Sequence, residues 1–173
     1  MTEEQYDAIV IGSSQGGRFL PIELAKAGRR VALVERGPIG GVCVNTGCTP
    51  TKTMIASARL AYLARRGPEY GVHTGPVTVS LAEVRERKRA MVAGARENYQ
   101  SRLKQDGVDV IEGEAHFTGP HAVEIALSAG GNRRLNAPLI VVDVGTRPKP
   151  PDISAADGAG AGLDVDHGAR RTP

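Results

Sequence analysis

The sequence predicts an α/β fold in which a parallel sheet with flanking helices is joined to a small antiparallel β-meander. Three observations lead to this class. Residues 1–35 follow the order strand, glycine-rich turn, helix and strand, which is one βαβ unit. Residues 116–135 have the pattern of an antiparallel meander, and an apolar run at 138–144 predicts a further buried strand. The 173 residues, 40% hydrophobic and 24% charged, suit one globular domain.

Apolar patterning and turn residues define the elements of the first third of the chain. Nearly continuous apolar runs predict buried parallel strands, and a glycine after a helical pattern predicts the end of a helix. The expected elements are, in order, a strand over 6–11, a helix over 16–27, a strand over 31–35, a Gly- and Pro-rich loop over 36–50 and a helix over 49–66.

The second long helix is expected to begin at a capping box, in which Ser80 is followed three positions later by Glu83. Gly107 is expected to end it. Its apolar side is predicted to consist of Leu81, Val84, Met91, Ala95 and Leu103. The elements expected after it are a short strand over 108–112, the meander with its turn at 129–132, and the buried strand over 138–144.

Charge and composition narrow the classes of function and the compartment. The net charge is +3, but basic and acidic residues are interleaved, so no nucleic-acid surface is expected. The N-terminus lacks a secretory pattern and no apolar run is long enough to span a membrane, which predicts a cytoplasmic protein. The domain is expected over 1–151, and 152–173 is predicted to be a disordered, low-complexity tail.

The loop over residues 12–17 is a candidate dinucleotide-binding site. It follows a strand and opens a helix, with Gly12 permitting a tight turn and Gly17 permitting close helix–strand packing. Glu35 ends the next strand, where an acidic residue binds the ribose of a dinucleotide. Ser14 replaces the middle glycine of the pattern, and its Cβ is expected to hinder the approach of the pyrophosphate. The order of elements predicts a Rossmann-like domain, and tight packing alone is the alternative.

Cys43 and Cys48 are the two cysteines of the chain and predict a redox couple. Two inert buried thiols are one alternative. A zinc site is another, although zinc takes four ligands and no histidine has a spacing that completes the set. Pro50 indicates a helix start near the thiols and Lys52 lies one turn beyond Cys48, and both features are expected to favour thiolate. A solvated surface lysine is the alternative for Lys52.

The stretch from Gly40 to Lys52 resembles the active-site signature of the class I pyridine nucleotide-disulfide oxidoreductases. This family includes glutathione reductase, dihydrolipoyl dehydrogenase and mercuric reductase. The resemblance covers residues 5–151, and the segments 113–117 and 145–148 also resemble the FAD-binding domain of the family. The run over 71–94 favours the mercuric reductase-like members.

The resemblance implies FAD as the cofactor and NAD(P)H as its electron donor. It implies that Cys48 is the charge-transfer thiol beside the flavin and that Cys43 is the interchange thiol that meets the substrate. The substrate implied is a small disulfide, a thiol or a metal ion. The positions that match the cofactor-binding residues of the family are Gly12, Ser14, Gly17, Glu35, Gly41, Val42, Lys52, Ala115 and Gly145.

Several parts of the family pattern are not recognised in the sequence. They are the nicotinamide domain, the returning FAD segment, the interface domain with its His–Glu pair and the C-terminal cysteine pair of mercuric reductases. His167 matches no family motif and is not expected to be catalytic. The sequence therefore predicts an incomplete FAD-binding domain, and an early stop or a shifted reading frame would account for the tail. The alternatives are a non-catalytic FAD-binding fragment and one half of a split enzyme, completed by another chain or in a homodimer.

Overall fold

The computed structural model describes residues 3–146, and within this range seven strands form one sheet. The helices are α1 (Gln15–Lys26), α2 (Gly41–Asn45), α3 (Cys48–Arg65) and α4 (Leu81–Gln105), with a 3₁₀ turn at Gly67–Tyr70. The strands are β1 (Glu3–Gln5), β2 (Ala8–Ile11), β3 (Val31–Glu35), β4 (Asp109–Gly119), β5 (Ala122–Leu127), β6 (Asn132–Asn136) and β7 (Leu139–Val142).

The sheet combines the predicted parallel part with the predicted meander. Its order is β1-β6-β5-β4-β3-β2-β7. Strand β2 pairs in parallel with both β3 and β7, while β4, β5 and β6 pair in antiparallel fashion. Strand β4 belongs to both parts, because its first residues pair with β3 and its later residues pair with β5. The short strand expected at 108–112 therefore continues to Gly119, past the end of β3.

Alternate residues of the central strands bury two separate cores on the two faces of the sheet. On one face Ile9 and Val34 pack with the meander residues Val123, Ile125 and Leu135. On the other face Val10 and Leu33 pack with Ile22 of α1 and with Tyr99 and Leu103 of α4. Because the chain has no tryptophan and few other aromatic residues, both cores consist mainly of aliphatic side chains, as the composition indicates.

The apolar side of α4 differs from the predicted one. Ser80 does cap the helix, since its Oγ accepts the Glu83 N–H at 3.3 Å. The residues that are buried, however, are Val92, Tyr99 and Leu103. Leu81 and Met91 are half exposed, at 53% and 50%. The expectation was wrong for these two because α4 is 25 residues long and only its C-terminal part reaches the sheet.

Two further expectations differ from the structure. The loop expected over 36–50 contains the short helix α2, and α3 already begins at Cys48. The strand expected to be buried over 138–144 lies at the edge of the described sheet, where Leu139 is 44% and Val142 56% exposed. Apolar composition predicts a strand, but a second neighbour is needed to bury it.

None of the helices within residues 3–146 is both long and apolar enough to cross a membrane. The domain boundary expected at residue 151, the tail over 152–173 and His167 lie outside the described residues.

Candidate dinucleotide and dithiol site

The candidate site lies at the carboxyl ends of β2, β3 and β7. From β2 the chain passes through α1 to β3 on one side, whereas β7 pairs with the other side of β2. Such a reversal of strand order opens a crevice beyond the carboxyl ends of the strands, which is where α/β sheets bind ligands. The loop after β2 and the residues after β7 therefore meet at the expected position of a dinucleotide.

Gly12 and Gly17 permit the close packing of this loop. Gly12 has a φ of 99°, and a Cβ added there would overlap the carbonyl oxygen of Asp143. A Cβ added at Gly17 would overlap the carbonyl oxygen of Gly12. A side chain at either position would clash with backbone atoms, as the predicted packing role of both glycines requires. The backbone that Gly12 contacts is the end of β7.

Glu35 organises the loop through a buried serine. Its Oε2 accepts the Ser13 N–H at 2.9 Å and the Ser13 hydroxyl at 2.5 Å, and its Oε1 accepts the Gly37 N–H at 2.9 Å. The Ser13 Oγ in turn accepts the N–H of Gly40 at 2.8 Å. Ser13 is 1% exposed and thus links the acidic end of β3 to the segment that leads into α2. This hydroxyl was missed by the sequence reasoning, since one serine beside a glycine carries no distinctive signal.

Ser14, at the middle position of the glycine pattern, packs against Gly41. A Cβ added at Gly41 would lie 2.9 Å from the Ser14 Cα and 3.0 Å from its Cβ. Gly41 also has a φ of 61°, a conformation that favours glycine. The Ser14 side chain therefore fits only because Gly41 has no side chain. The glycine loop (residues 12–17) and the cysteine segment (residues 40–52) are thus in direct contact.

Asp143, directly after β7, places a carboxylate at the start of α1. Its Oδ2 accepts the N–H of Gly17 at 2.6 Å, and its own N–H donates to the Ile11 carbonyl at 2.7 Å. On the other side of α1 the buried Tyr99 hydroxyl donates to the Gly17 carbonyl at 2.6 Å. Burial raises the pKa of Tyr99 above its usual value, which is already high, so this hydroxyl stays protonated. Neither residue was recognised from the sequence as part of the site.

The two cysteines lie in the middle of α2 and at the start of α3. Cys43 is half-buried in α2, and Cys48 is the first residue of α3 and is exposed. Asn45 stabilises the turn, since its Nδ2 donates to the carbonyls of Gly41 and Pro38 at 2.8 and 2.9 Å. Both cysteines are free thiols in this structure. The exposure of Cys48 disagrees with the alternative in which both thiols are buried.

The pKa of Cys48 is raised above its usual value, and the main cause is its hydrogen bond with the Cys43 thiol. The backbone N–H of Cys48, at the start of α3, and the charge of Lys52 act in the opposite direction. The expected effects of the helix start and of Lys52 are therefore present. Both effects act in the predicted direction, but the hydrogen bond with Cys43 outweighs them, so the net pKa of Cys48 is raised in the dithiol form.

Helix α4 ties the cysteine segment to the rest of the domain. Arg96 Nε donates to Asn45 Oδ1 at 2.5 Å, and Arg87 Nη1 donates to the Thr53 carbonyl of α3 at 2.9 Å. Neither arginine was expected to take part, because Arg96 lies 51 residues and Arg87 34 residues from its partner in the sequence. Only the tertiary fold brings these residues together.

The other predicted cofactor-binding residues lie on α2, α3 and β4 and after β7. Val42 is exposed beside Cys43 on α2, and Lys52 is exposed one turn into α3. Ala115 lies on β4 three positions past Glu112, the register partner of Glu35, and so beyond the carboxyl end of β3. Gly145 follows β7 and has a φ of 66°. Their contact with a cofactor remains a prediction.

Comparison with known proteins identifies relatives of the chain. The family described as Pyridine nucleotide-disulphide oxidoreductase matches residues 6–171. Dihydrolipoyl dehydrogenase from Chlorobaculum parvum is 37% identical over 145 residues, which are 84% of this chain and 31% of that protein. Mercuric reductase from Bacillus cereus is 33% identical over 153 residues, 88% of this chain and 24% of that protein. The chain thus spans about a third or less of the length of these curated relatives.

A solved structure shows a similar fold. The Cu(II) complex of the HOCl-induced flavoprotein disulfide reductase RclA from Escherichia coli aligns with a TM-score of 0.72 and 29% sequence identity. The alignment covers 88% of this chain and 31% of that chain.

Proposed function

Because the chain belongs to the pyridine nucleotide-disulphide oxidoreductase family, we propose that it is the FAD-binding, dithiol-bearing part of an FAD-dependent disulfide oxidoreductase. The observation that supports this most directly is the hydrogen bond from the Gly40 N–H to the Ser13 hydroxyl at 2.8 Å. It connects the loop expected to hold the dinucleotide with the segment that carries the cysteines. A cofactor on that loop and the thiols of α2 and α3 would therefore belong to one site.

The residues around the crevice fit a dinucleotide in most respects. Gly12 and Gly17 allow the loop to pack closely at the start of α1, and the Glu35 carboxylate lies at the end of β3, where the adenosine ribose is expected. Gly41, Val42 and Lys52 would lie toward the flavin, and Ala115 and Gly145 toward the rim. The Asp143 carboxylate at the start of α1 is the one feature that does not fit. FAD, when bound, supplies the two-electron chemistry that connects a nicotinamide donor with a disulfide.

The thiols would act by thiol–disulfide exchange. The Cys43 thiolate attacks one sulfur of a substrate disulfide, forming a mixed disulfide and releasing the other half as a thiolate. The Cys48 thiolate then attacks the Cys43 sulfur, which releases the second substrate thiolate and leaves a Cys43–Cys48 disulfide. Substrate disulfide is thereby reduced by two electrons as the dithiol is oxidised, and NAD(P)H is the donor that would restore the dithiol.

The substrate class proposed is a small disulfide, a thiol or a soft metal ion. A disulfide and a soft metal ion react with a thiolate, whereas a thiol would react, as its thiolate, with the Cys43–Cys48 disulfide of the oxidised form. The relatives include enzymes named for a dihydrolipoyl compound and for mercuric ion. Among these we propose a mercuric reductase-like activity, in line with the resemblance of the run over 71–94 to mercuric reductase-like members. The mercuric reductase from Bacillus cereus is 33% identical to this chain, and the dihydrolipoyl dehydrogenase from Chlorobaculum parvum is 37% identical.

The visible absorption spectrum of the purified chain tests the proposal. We expect bound flavin, and after reduction a long-wavelength absorbance that is present in the natural chain and lost in Cys48→Ser. The Cys43→Ser variant is the matched control and should keep that absorbance while losing exchange with a substrate disulfide. A colourless protein that takes up no added FAD would refute the proposal. Persistence of the absorbance in Cys48→Ser would refute the role assigned to that residue.

An FAD-binding module that needs further polypeptide for turnover is a second candidate. It is favoured by the exposed apolar side chains at the end of the sheet, where Leu139, Val142 and Val144 are 44%, 56% and 62% exposed. A complementing chain or a second copy could cover them, as could a continuation of the chain. Bound flavin that NADPH and NADH leave oxidised would support this candidate, whereas bleaching by either donor would exclude it.

A further inference from the structure

The Asp143 carboxylate lies at the start of α1, where a dinucleotide would place its pyrophosphate. Its Oδ2 accepts the Gly17 N–H at 2.6 Å. A Cβ added at Gly16 would lie 3.4 Å from Oδ2, and one added at Gly17 would lie 3.2 Å from it. The two glycines that open the helix therefore leave the room that this carboxylate fills.

The first turn of a helix has N–H groups without helical partners and a partial positive charge, so it attracts anions. The residues next to the start of α1 do not supply such an anion. The first turn contains no acidic residue, and the Ser14 side chain makes no capping hydrogen bond. The Asp143 carboxylate, which follows β7, supplies the negative charge and accepts the Gly17 N–H. It reaches the helix because β7 runs beside β2 and ends next to the glycine loop.

The same crevice already contains the Glu35 carboxylate at the end of β3. Glu35 suits a ribose, since hydroxyl groups donate hydrogen bonds to a carboxylate. A pyrophosphate carries negative charge and can only accept. The Asp143 carboxylate therefore occupies a donor that the pyrophosphate could use and also repels it.

We propose that Asp143 sets the affinity of this chain for dinucleotides by competing with the pyrophosphate for the N-terminus of α1. This inference rests on the proposed function for the identity of the ligand, FAD. The carboxylate must move away from the Gly17 N–H, or its charge must be compensated, when a pyrophosphate binds. The chain therefore binds its cofactor more weakly than the glycine loop alone would allow, and it stabilises its own helix when the cofactor is absent.

The test compares the full chain with Asp143→Asn and with the control Asp106→Asn. Asparagine keeps an oxygen that can accept the Gly17 N–H but removes the charge. Asp106 is the C-terminal cap residue of α4, next to the start of β4 and so at the opposite end of the strands, and its substitution removes the same charge from the protein. The dissociation constants of ADP, adenosine and FAD are measured by isothermal titration calorimetry, and thermal unfolding without ligand checks the fold.

We expect Asp143→Asn to bind ADP about tenfold more tightly than the natural chain, because a repulsive charge at a helix start is removed. Adenosine, which has no phosphate, should bind equally to both, and Asp106→Asn should match the natural chain for both ligands. This pattern, which a general change in stability would not produce, supports the inference.

Equal ADP affinity in the natural chain and in Asp143→Asn would overturn the inference and leave the proposed function intact. Tighter ADP binding with no FAD binding by either protein would support the role of Asp143 and overturn the proposed function. Failure of both proteins to bind ADP or FAD would overturn both. If Asp143→Asn is destabilised, Asp143→Ser provides the same comparison with a different hydrogen-bonding side chain.

Discussion

At the scale of single residues, the pKa of Cys48 depends more on the neighbouring Cys43 thiol than on the helix that Cys48 begins. A helix start and a lysine one turn away both favour thiolate, and a sequence shows both. The Cys43 thiol outweighs them by hydrogen-bonding to Cys48 and raises its pKa. In the dithiol form Cys48 is therefore less ionised than it would be without the Cys43 thiol.

Replacing Cys43 by alanine should lower the pKa of Cys48. The substitution removes the main cause that raises this pKa, while the Cys48 backbone N–H and the Lys52 charge, which lower it, remain. At a fixed neutral pH a larger fraction of Cys48 should then be thiolate. The pH dependence of alkylation by iodoacetamide measures this, and Lys52→Gln in the Cys43→Ala background should shift the midpoint upward again. A midpoint unchanged or raised in Cys43→Ala would contradict the assignment.

At the scale of elements, α4 holds the cysteine segment in place although it contributes no cysteine. Arg96 reaches Asn45 at the end of α2, and Arg87 reaches the backbone of α3. Tyr99, on the same helix, meets the carbonyl of Gly17 in α1. One helix thus positions the glycine loop and the dithiol relative to each other, and a change in α4 should be felt at both.

Arg96→Ala should lower the free energy of unfolding by about 1–2 kcal/mol, because it removes a charge-assisted hydrogen bond to Asn45 in a half-buried position. Urea denaturation measures this difference. Arg89→Ala is the matched control on the same helix, since the Arg89 side chain is 70% exposed and pairs only with Glu86 at 3.5 Å among the described residues. Its effect should stay within about 0.5 kcal/mol. Equal effects of the two substitutions would show that Arg96 does not hold the segment.

At the scale of the whole molecule, a network of polar side chains joins strands that are far apart in sequence. Arg133 of β6 contacts Glu4 of β1 at 2.7 Å and Asp109 of β4 at 3.0 Å. The Tyr6 hydroxyl donates to the same Asp109 carboxylate, and burial together with this hydrogen bond raises the pKa of Tyr6 to about 12. The network ties the N-terminal strand and the meander to the parallel part of the sheet.

The stability of the chain toward acid should depend on Glu4. The hydrogen bond from Arg133 lowers the pKa of Glu4 in the folded state below its usual value. A carboxyl group with a lowered folded-state pKa adds stability above its unfolded pKa of about 4.3, and this contribution is lost as the pH falls through the folded value. Glu4→Gln should therefore be less stable than the natural chain at pH 7, and the difference should shrink as the pH is lowered below about 4.

Urea denaturation at several pH values measures this difference. Glu3→Gln is the control, because Glu3 is exposed and makes no ion pair among the described residues. A difference between Glu4→Gln and the natural chain that is the same at pH 7 and in acid would contradict the prediction.

Local patterns in the chain were sufficient for most of the elements. The alternation of apolar strands, glycine turns and a capping box at Ser80 predicted β2, α1, β3, α3, α4 and the meander at close to their observed positions. The motif residues were all found near the carboxyl ends of β2 and β3; they are Gly12, Gly17, Glu35, Cys43 and Cys48. Such features are visible in a sequence because each depends on the conformational preference or chemistry of residues that are neighbours in the chain.

The sequence by itself thus determined the family, the strand–loop–helix frame and the pair of thiols, since local periodicity and short motifs encode them. Only the tertiary structure decided which side of α4 is buried, that β7 lies at the edge of the described sheet, and that Cys43 raises the pKa of Cys48. It also decided that Asp143 occupies the start of α1, 126 residues from its partner Gly17. Contacts of this kind depend on which strands become neighbours, and strand order is a property of the whole fold rather than of any segment.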